Sequence, residues 1–307
     1  MFSFVLPAYK SQFLGQAITS ILSQSLKDFE LVIVNDASPY DVDSVIQQFD
    51  DSRLSYYINN ENIGGRNLVE QWNTCLQYAK GEYVILASDD DIFSSDYLKK
   101  MSQLIASYPD CDVFGCRKRI INSSDRLVDM DGYMGEYMSF FEFADRLYSG
   151  SIYSSIPNYI FRKSALDKNE GFVNFPLAWY SDDATILRLA HNGIGFSNEL
   201  LFSFRFSDSN ISSLINRDVL KRKIYATIEF HKWFNTEIPK VPIRTESDQL
   251  YAGRLKCVFD AYIARKTRYL AMSSRINDLL LLLINRRLWE CVSRKELLKI
   301  LISRIFN

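Results

Sequence analysis

The stretch YVILASDDDIF, residues 83–93, places Asp89, Asp90 and Asp91 directly after an apolar run that is typical of a buried strand. Two unit charges about 4 Å apart repel by roughly 4 kcal/mol at an effective dielectric near 20, so a sheltered carboxylate cluster protonates, pairs with cations or binds a metal. A solvated loop that caps the following helix would avoid this cost, and residues 94–96, Ser-Ser-Asp, suit such a cap. Taken alone, the stretch leaves both interpretations open.

The stretch closes a longer pattern in which apolar runs alternate with helical patterns through the first hundred residues. This alternation predicts an α/β fold, with a mostly parallel sheet covered by helices on both faces. Ligands of such sheets bind beyond the carboxyl ends of the strands. The polar or turn-forming residues expected at that edge are Pro7, Ala8, Tyr9, Asn35, Asp36, residues 59–62 and residues 88–91.

Composition limits the kinds of site that the chain can form. The 307 residues are 47% hydrophobic, which is ordinary for a folded protein. Five scattered cysteines without a CxxC pair indicate a reducing compartment, and with only two histidines a zinc site is not expected. Any metal should be a hard ion held by oxygen, Mg²⁺ or Mn²⁺. Neither a signal peptide nor a transmembrane helix is predicted, because the longest apolar run covers only residues 279–284.

Charge is distributed unevenly along the chain. From residue 214 onward there are 19 Lys and Arg against 9 Asp and Glu, whereas the first 213 residues have 17 against 28. Residues 235–248 have the composition of a linker, and a helical segment is predicted from about residue 249 to the end. Its basic amphipathic tail is suited either to an anionic membrane surface or to docking on the preceding domain or a second subunit. Nucleic acid is not expected as a partner, because the front half is acidic and no recognised module is present.

A second polar cluster lies in residues 176–193, PLAWYSDDATILRLAHNG. Ser181 has the character of a helix N-cap, and Asn192 with Gly193 would close that helix. The preceding segment, residues 130–153, is rich in Tyr, Met and Phe, and a core role is favoured over a ligand platform by about two to one.

Four segments in order resemble the glycosyltransferase family 2 pattern, that of inverting enzymes with the GT-A fold. These segments are residues 4–38, 62–91, 179–193 and 204–212. The resemblance implies a catalytic domain over residues 1–215, followed by a helical region over residues 216–307 for acceptor, membrane or oligomer contacts.

The resemblance implies a role for the residues at the carboxyl ends of the first two strands. Asp36 would contact the base or ribose of the nucleotide, and Pro7, Ala8 and Tyr9 would line the base pocket. A turn aspartate and a plain strand-end tyrosine are the alternatives for Asp36 and Tyr9.

The three aspartates match the family's DxD-type motif. Asp90 would ligate the metal, and Asp89 would lie near the ribose. Asp91 would either support Asp90 as its neighbour or act as a second metal ligand. Ser88 stands where many members have an aspartate.

The glycine turn at Asn62, Gly64 and Gly65 opens a helix. By resemblance this loop would contact the donor, with backbone N–H groups near phosphate and Arg66 reaching the diphosphate. An ordinary turn is the alternative.

The candidate base is Asp182, aligned through Arg188 with the family's catalytic aspartate; Ser181 takes the place of a glutamate. Helix-dipole stabilisation favours the ionised form of a carboxylate in a first helical turn. Asp183 is the neighbouring alternative, and both could be simple helix caps.

Arg205 matches a family arginine that is often followed by a histidine, but Ser207 and Asp208 occupy that place here. Asn210, Ser212 and Ser213 are expected in a loop that covers the donor.

These assignments predict a metal-dependent inverting glycosyltransferase, which moves a sugar from a nucleotide-sugar, a UDP-sugar first of all, to a glycan or lipid-linked glycan of a bacterial surface polysaccharide. The expected location is cytoplasmic, with peripheral contact on the inner membrane face, and a homodimer is considered. A sugar-nucleotide nucleotidyltransferase should show a Gly-rich basic loop after the first strand, which is absent. A non-catalytic glycan- or nucleotide-binding protein is the other alternative.

Overall fold

The computed structural model describes residues 1–206 and 216–305. The strands within these ranges are β1 Phe2–Ala8, β2 Phe29–Asn35, β3 Leu54–Ile58, β4 Tyr83–Leu86, β5 Ile92–Phe93, β6 Val113–Ile121, β7 Leu127–Met130, β8 Tyr137–Met138, β9 Tyr159–Arg162 and β10 Ile194–Arg205. The helices within the same ranges are α1 Leu14–Leu22, α2 Val42–Ile46, α3 Leu68–Leu76, α4 Tyr97–Ser107, α5 Phe140–Ser149, α6 Lys163–Lys168, α7 Ser181–Leu189, α8 Arg217–Glu237, α9 Glu246–Ser273, α10 Leu280–Ile284, α11 Leu288–Cys291 and α12 Arg294–Ile305.

The strands form one sheet in the order β3-β2-β1-β4-β9-β6-β10-β5, with β7 and β8 paired at its margin. The long ladders β1–β2, β2–β3, β1–β4 and β6–β10 are parallel, as the alternating pattern predicts. The sequence does not reveal β9, which runs antiparallel between β4 and β6. Strands β1 to β4 end at a common edge, where the predicted polar residues follow them.

Alternation of side chains along the strands divides the core between the two faces of the sheet. In β1, Phe4 and Leu6 belong to one buried cluster and Val5 to the other. In β4, Val84 packs with Val5, whereas Ile85 packs with Phe4. A strand that is covered on both faces needs apolar residues at successive positions. This requirement explains the continuous apolar runs of β1 and β4.

The aromatic segment before β9 is mainly core, as predicted. Helix α5 buries Phe140, Phe141, Phe143 and Tyr148, while Tyr153 beyond it is exposed.

The C-terminal region differs from its sequence prediction. The predicted linker is largely helical: α8 runs to Glu237, and α9 begins at Glu246 behind a capping box at Thr245. The prediction of one continuous helix from about residue 249 is wrong, because α9 ends at Ser273 and three separate α-helices follow. Asn285 follows the end of α10, and its side chain accepts the N–H of Leu288, the first residue of α11. Ser293 precedes α12, and its hydroxyl accepts the N–H of Glu296.

The tail packs on the sheet region of the chain with its apolar side. Leu282, Leu288, Leu297 and Ile300 lie in the same buried cluster as Val5 of the first strand. The two sequence regions therefore share a core. No helix in the described ranges is long and apolar enough to cross a membrane.

Candidate active site

The carboxylate of Asp89 lies against the chain that follows β1. Its Oδ2 accepts the backbone N–H groups of Tyr9 at 2.9 Å and Lys10 at 2.7 Å. The ends of β1 and β4 are therefore joined through this side chain.

The carboxylate of Asp91 is buried against the end of β10. Its Oδ1 accepts the backbone N–H of Arg205 at 2.8 Å, and Arg205 Nε donates to the carbonyl oxygen of Asp90 at 2.8 Å. Asp91 Oδ2 is buried and has no hydrogen-bond partner among the described residues. An orphaned carboxylate oxygen beside two further carboxylates is suited to a cation.

The three aspartates do not cap helix α4, which was their alternative interpretation. Gln24 Oε1 accepts the N–H of Leu98 at 2.9 Å in the first turn of that helix. Asp96 makes no capping hydrogen bond and instead accepts the Ser25 hydroxyl at 2.8 Å.

Electrostatics also favour a cation beside the three aspartates. Burial raises the pKa of Asp90 to about 6, with a further contribution from repulsion by Asp89. Burial, followed by repulsion from Asp90, raises the pKa of Asp91 well above its usual range, and burial also raises that of Asp89. A nearby cation would reverse these shifts.

A divalent ion fits this donor set, with Asp90 and Asp91 as the residues that would hold it. No ready-made group of three or more His, Cys, Asp or Glu side chains is found in the part of the chain that the structure describes. Mg²⁺ needs no such cage, since it is usually bound through one or two carboxylates together with substrate phosphates.

Asp36 organises the loop after β3. Its Oδ1 accepts Asn59 Nδ2 at 2.8 Å and the N–H of Ile63 at 2.9 Å, and its Oδ2 accepts the N–H of Gly64 at 2.7 Å. The turn interpretation fits Asn35 better than Asp36, because Asn35 Oδ1 accepts the N–H of Ser38 at 2.9 Å.

The glycine turn differs from the prediction that its N–H groups are open to phosphate. The N–H of Gly64 is used by Asp36, and the N–H of Gly65 donates to Asn62 Oδ1 at 2.6 Å. Arg66 is exposed at the same loop and pairs with Glu61 at 2.7 Å.

The predicted base-pocket residues lie at the same sheet edge. The carbonyl oxygen of Ala8 accepts the N–H of Asp36 at 3.0 Å, so these two strand ends are in contact. Pro7 is half-buried, and the exposed ring of Tyr9 meets Tyr40 edge-on at 5.9 Å between centroids. Two accessible aromatic rings thus follow the carboxyl ends of β1 and β2.

The second carboxylate cluster lies at the start of α7. Ser181 is not its N-cap, since it is the first helical residue and its buried hydroxyl accepts the N–H of Phe175 at 3.1 Å. The N-cap is Tyr180, in a left-handed conformation with φ 72°. The predicted close of the helix is found, because Gly193 follows a last 3₁₀ turn with φ 84°.

The two aspartates of this helix have different surroundings. Asp183 is buried and accepts the hydroxyls of Ser154 and, at 2.8 Å, Tyr262. Asp182 is half-buried and accepts the N–H of Asp183 at 2.9 Å. Both oxygens of Asp183 are therefore bonded to hydroxyls, whereas Asp182 is the more accessible carboxylate of the two.

Both aspartates line a cavity of about 770 Å³ with an aromatic wall. Its aromatic members are Tyr153, Trp179, Tyr180, Phe206, Tyr262 and Tyr269. This volume lies within the ~300–1,000 Å³ range of small-molecule sites. Burial raises the pKa of Asp182 to about 7, repulsion by Asp183 contributes, and Lys266 acts in the opposite direction. A carboxylate with this pKa can take up a proton near neutral pH.

The two clusters are connected through the end of β10. Arg205 binds Asp90 and Asp91, and the next residue, Phe206, lines the cavity of Asp182. Ser207, Asp208, Asn210, Ser212 and Ser213, predicted around the missing histidine and the covering loop, lie outside the described residues.

Sequence reasoning missed Ser154, Trp179, Tyr262 and Lys266 of this cavity. A partial signal existed for the last two, since a spacing of four on a predicted helix places them on one face. Nothing in the sequence indicates that this face meets α7.

The chain resembles known glycosyltransferases in both sequence and structure. The family described as glycosyl transferase family 2 matches residues 3–185. A GalNAc(5)-diNAcBac-PP-undecaprenol beta-1,3-glucosyltransferase from Campylobacter jejuni is 36% identical over 104 residues, 33% of this chain and 33% of that protein. The chain thus spans only a third of this curated relative.

Two solved structures have the same fold over nearly the whole chain. TarS from S. aureus, in complex with UDP-GlcNAc, gives a TM-score of 0.60 with 16% identity, covering 99% of this chain and 90% of that one. A mannosyltransferase from Pyrobaculum calidifontis, in complex with GDP-Man and Mn²⁺, gives 0.55 with 17% identity, covering 99% and 87%. The fold is thus GT-A, as the resemblance implied. Since the family match spans more than half of the 307 residues, the chain belongs to glycosyl transferase family 2.

Proposed function

We propose that the protein is an inverting glycosyltransferase that moves a sugar from a nucleotide-diphosphate sugar to a hydroxyl of a glycan acceptor. The observation that carries the proposal is the contrast between Asp182 and Asp183. Both line the aromatic cavity at a helix N-terminus, but Asp183 is fixed by two hydroxyls, whereas Asp182 is half-buried and more accessible. This arrangement suits a general base for a hydroxyl that is held among aromatic rings.

The reaction proposed for these residues is a direct displacement. Asp182 accepts the proton of the acceptor hydroxyl while the hydroxyl oxygen attacks the anomeric carbon from the face opposite the diphosphate. The bond to the diphosphate oxygen breaks in the same step, so no covalent enzyme intermediate is required. Asp183, held by Ser154 and Tyr262, fixes the start of the helix that carries the base.

Donor binding is assigned to the carboxyl edge of β1 to β4. Tyr9, Pro7 and Ala8 would border the base, Asp36 would contact the base or ribose, and Asp89 would lie near the ribose. Asn62 and Arg66 complete the proposed donor site. Gly64 and Arg205 would shape it from within, since the N–H of Gly64 and the buried guanidinium of Arg205 already bond inside the chain. A Mg²⁺ or Mn²⁺ ion held by Asp90 and Asp91 would neutralise the diphosphate and stabilise the negative charge of the leaving group.

The donor and acceptor classes follow the names of similar proteins. A UDP-sugar is the first proposed donor, since TarS was solved with UDP-GlcNAc. GDP-sugars are tested as well, because the Pyrobaculum calidifontis mannosyltransferase was solved with GDP-Man and Mn²⁺. A lipid-linked glycan of a bacterial surface polysaccharide is the proposed acceptor, because the C. jejuni relative is named for an undecaprenol-linked glycan.

Transfer to such an acceptor would take place at the cytoplasmic face of the membrane. The C-terminal tail has a surface that is suited to binding there. Ile276, Leu280 and Ile284 are each at least 60% exposed at four-residue intervals, and Arg286 and Arg287 follow them. Apolar side chains beside arginines suit an anionic bilayer.

Sedimentation with anionic vesicles should be lost in the double variant that combines Leu280→Ser with Ile284→Ser. A change from dimer to monomer instead would assign the surface to self-association.

The deciding experiment measures transfer and hydrolysis of UDP-, GDP- and dTDP-sugars by the purified protein, with Mn²⁺, Mg²⁺ or chelator. Asp90→Ala and Asp182→Ala are tested alongside the unmodified chain. Metal-dependent release of one nucleotide, lost in both variants while Asp182→Ala still binds nucleotide, would support the proposal. Binding without turnover would favour a non-catalytic protein. Pyrophosphate-dependent conversion of the nucleotide-sugar to a nucleoside triphosphate and a sugar 1-phosphate would favour a nucleotidyltransferase.

A further inference from the structure

One face of helix α9 forms a wall of the Asp182 cavity. Tyr262, Arg265, Lys266 and Tyr269 all line it, at spacings of three, four and seven residues, which is the spacing of one helical face. Helix α9 lies beyond the residues 3–185 that match the family. Some of the side chains that surround Asp182, the proposed base, therefore come from a part of the chain outside the family match.

The contacts of Lys266 place its ammonium group at this wall. Its Nζ lies 5.5 Å from the ring centroid of Trp179 and 5.4 Å from that of Tyr262. Tyr262 in turn donates its hydroxyl to Asp183 at 2.8 Å. The half-buried lysine is thus held by two aromatic rings at the edge of the carboxylate pair.

The surroundings of Asp182 contain charges of both signs. Among the described residues, the titratable or charged side chains that line this cavity, contact its wall or interact with the aspartate pair include Asp183, Tyr148, Tyr153, Tyr159, Tyr180, Lys223, Tyr262, Arg265, Lys266 and Tyr269. Of the other two cations, Arg265 is exposed and donates to the carbonyl oxygen of Tyr148 at 2.5 Å, and Lys223 lies over the Trp179 ring at 4.3 Å.

We propose that Lys266 is a positioning residue of the transfer reaction, whose ammonium group keeps Asp182 in the ionised form that accepts the acceptor's proton. This inference rests on the proposed function. Two adjacent sheltered carboxylates repel each other, and a cation at the same cavity favours the charged form of the open one. Consistent with this geometry, the backbone N–H of Asp183 and then Lys266 lower the pKa of Asp182, against the larger raising effects of burial and of the Asp183 charge.

The test compares the pH dependence of transfer by the full chain and by two variants, Lys266→Met and Lys266→Arg. Loss of the cation should move the acidic limb of kcat/KM upward by about 0.5 to 1 pH unit, with little change above pH ~9, where Asp182 is ionised in either protein. Lys266→Arg should restore the profile of the unmodified chain. The KM for the nucleotide-sugar should stay within about threefold, since the lysine acts through the base.

Lys256→Met is the matched control. Lys256 lies on the same helix, also near aromatic rings, but it is exposed and pairs with Asp260 at 2.6 Å away from the cavity. Its profile should equal that of the unmodified chain. An unchanged acidic limb in Lys266→Met, or an equal loss of rate at every pH, would overturn the role, and so would a large rise in donor KM.

A second readout separates this inference from the proposed function. The carboxyl-carbon NMR titration of Asp182, assigned by its absence in Asp182→Asn, does not require turnover. The midpoint should be higher in Lys266→Met than in the unmodified chain, and an equal midpoint would reject the coupling. If the midpoint moves but no nucleotide-sugar is turned over, the electrostatic role stands and the proposed function fails.

Discussion

The backbone N–H of Arg205 donates to Asp91 Oδ1 at 2.8 Å, across 114 positions of the sequence. The buried side chain of Arg205 continues from this contact to Asp90 O at 2.8 Å and Gln16 Oε1 at 3.0 Å, and it pairs with Asp125 at 2.5 Å. One arginine therefore fixes the carboxylate cluster relative to α1 and to the turn after β6. This contact sets the position of the proposed metal ligands before any ligand arrives.

Arg205→Met should lower the free energy of unfolding by about 3–5 kcal/mol, because it leaves the buried oxygens that Arg205 satisfies without a donor. Urea denaturation measures the change. Asp125→Asn is the control: Asp125 is 53% exposed, so losing its charge should cost about 1 kcal/mol or less. Equal losses in the two variants would mean that the ion pair, rather than the buried network, carries the stability.

Asp182→Asn should lower kcat by about 10²–10⁴-fold with nucleotide binding retained, as expected for removal of a general base. Asp183→Asn should have a much smaller effect on kcat, since an amide can still bond to the hydroxyls of Ser154 and Tyr262. Steady-state transfer and calorimetric nucleotide binding measure both. The opposite order of effects would assign the base to Asp183.

The sequence was sufficient for those features that depend on local pattern. Strands β1 to β4 and the polar residues at their ends follow from apolar runs with polar or turn-forming residues behind them. Strand β9 could not be found this way, because its four residues become a strand only by pairing with β4 and β6.

The division of roles between Asp182 and Asp183 was likewise beyond the sequence. It depends on Ser154 and Tyr262, which lie 29 and 79 positions from Asp183. The prediction of one helix for the tail is wrong because its apolar periodicity continues through Asn285 and Ser293. The side chains of these two residues accept backbone N–H groups, and the helix is interrupted there.

Asp36→Asn should lower the free energy of unfolding by about 1–3 kcal/mol and weaken nucleotide binding. The carboxylate accepts three N–H groups, and an amide nitrogen facing one of them leaves a donor unpaired. Denaturation and titration with UDP measure the two effects. Asp28→Asn, at a side chain 68% exposed, should change neither; an Asp36 variant that keeps full stability and binding would reject the role of the loop.

Phe230→Ala should cost about 3–5 kcal/mol in one cooperative unfolding transition, because the catalytic region and the C-terminal helices share a core. Phe230 on α8 is fully buried and stacks on Tyr180 at 4.5 Å, two residues before Asp182. Tyr225→Ala, at an exposed position of the same helix, should change stability by about 0.5 kcal/mol or less. Two separate transitions, of which Phe230→Ala moves only one, would show that the regions fold independently.

Asp182→Asn should also make the protein more stable at pH 8 than the unmodified chain. The folded-state pKa of Asp182 is about 7, above the ordinary value of 3.8, so the folded protein binds more protons between these values. Stability contributed by this group is full below about pH 4 and is lost as the pH rises through about 7. An asparagine has no such dependence, and the gain at pH 8 should be about 1–3 kcal/mol. Denaturation of both proteins from pH 5 to 8.5 measures the difference, which should shrink as the pH falls; a constant difference would mean that the pKa of Asp182 is not raised in the folded protein.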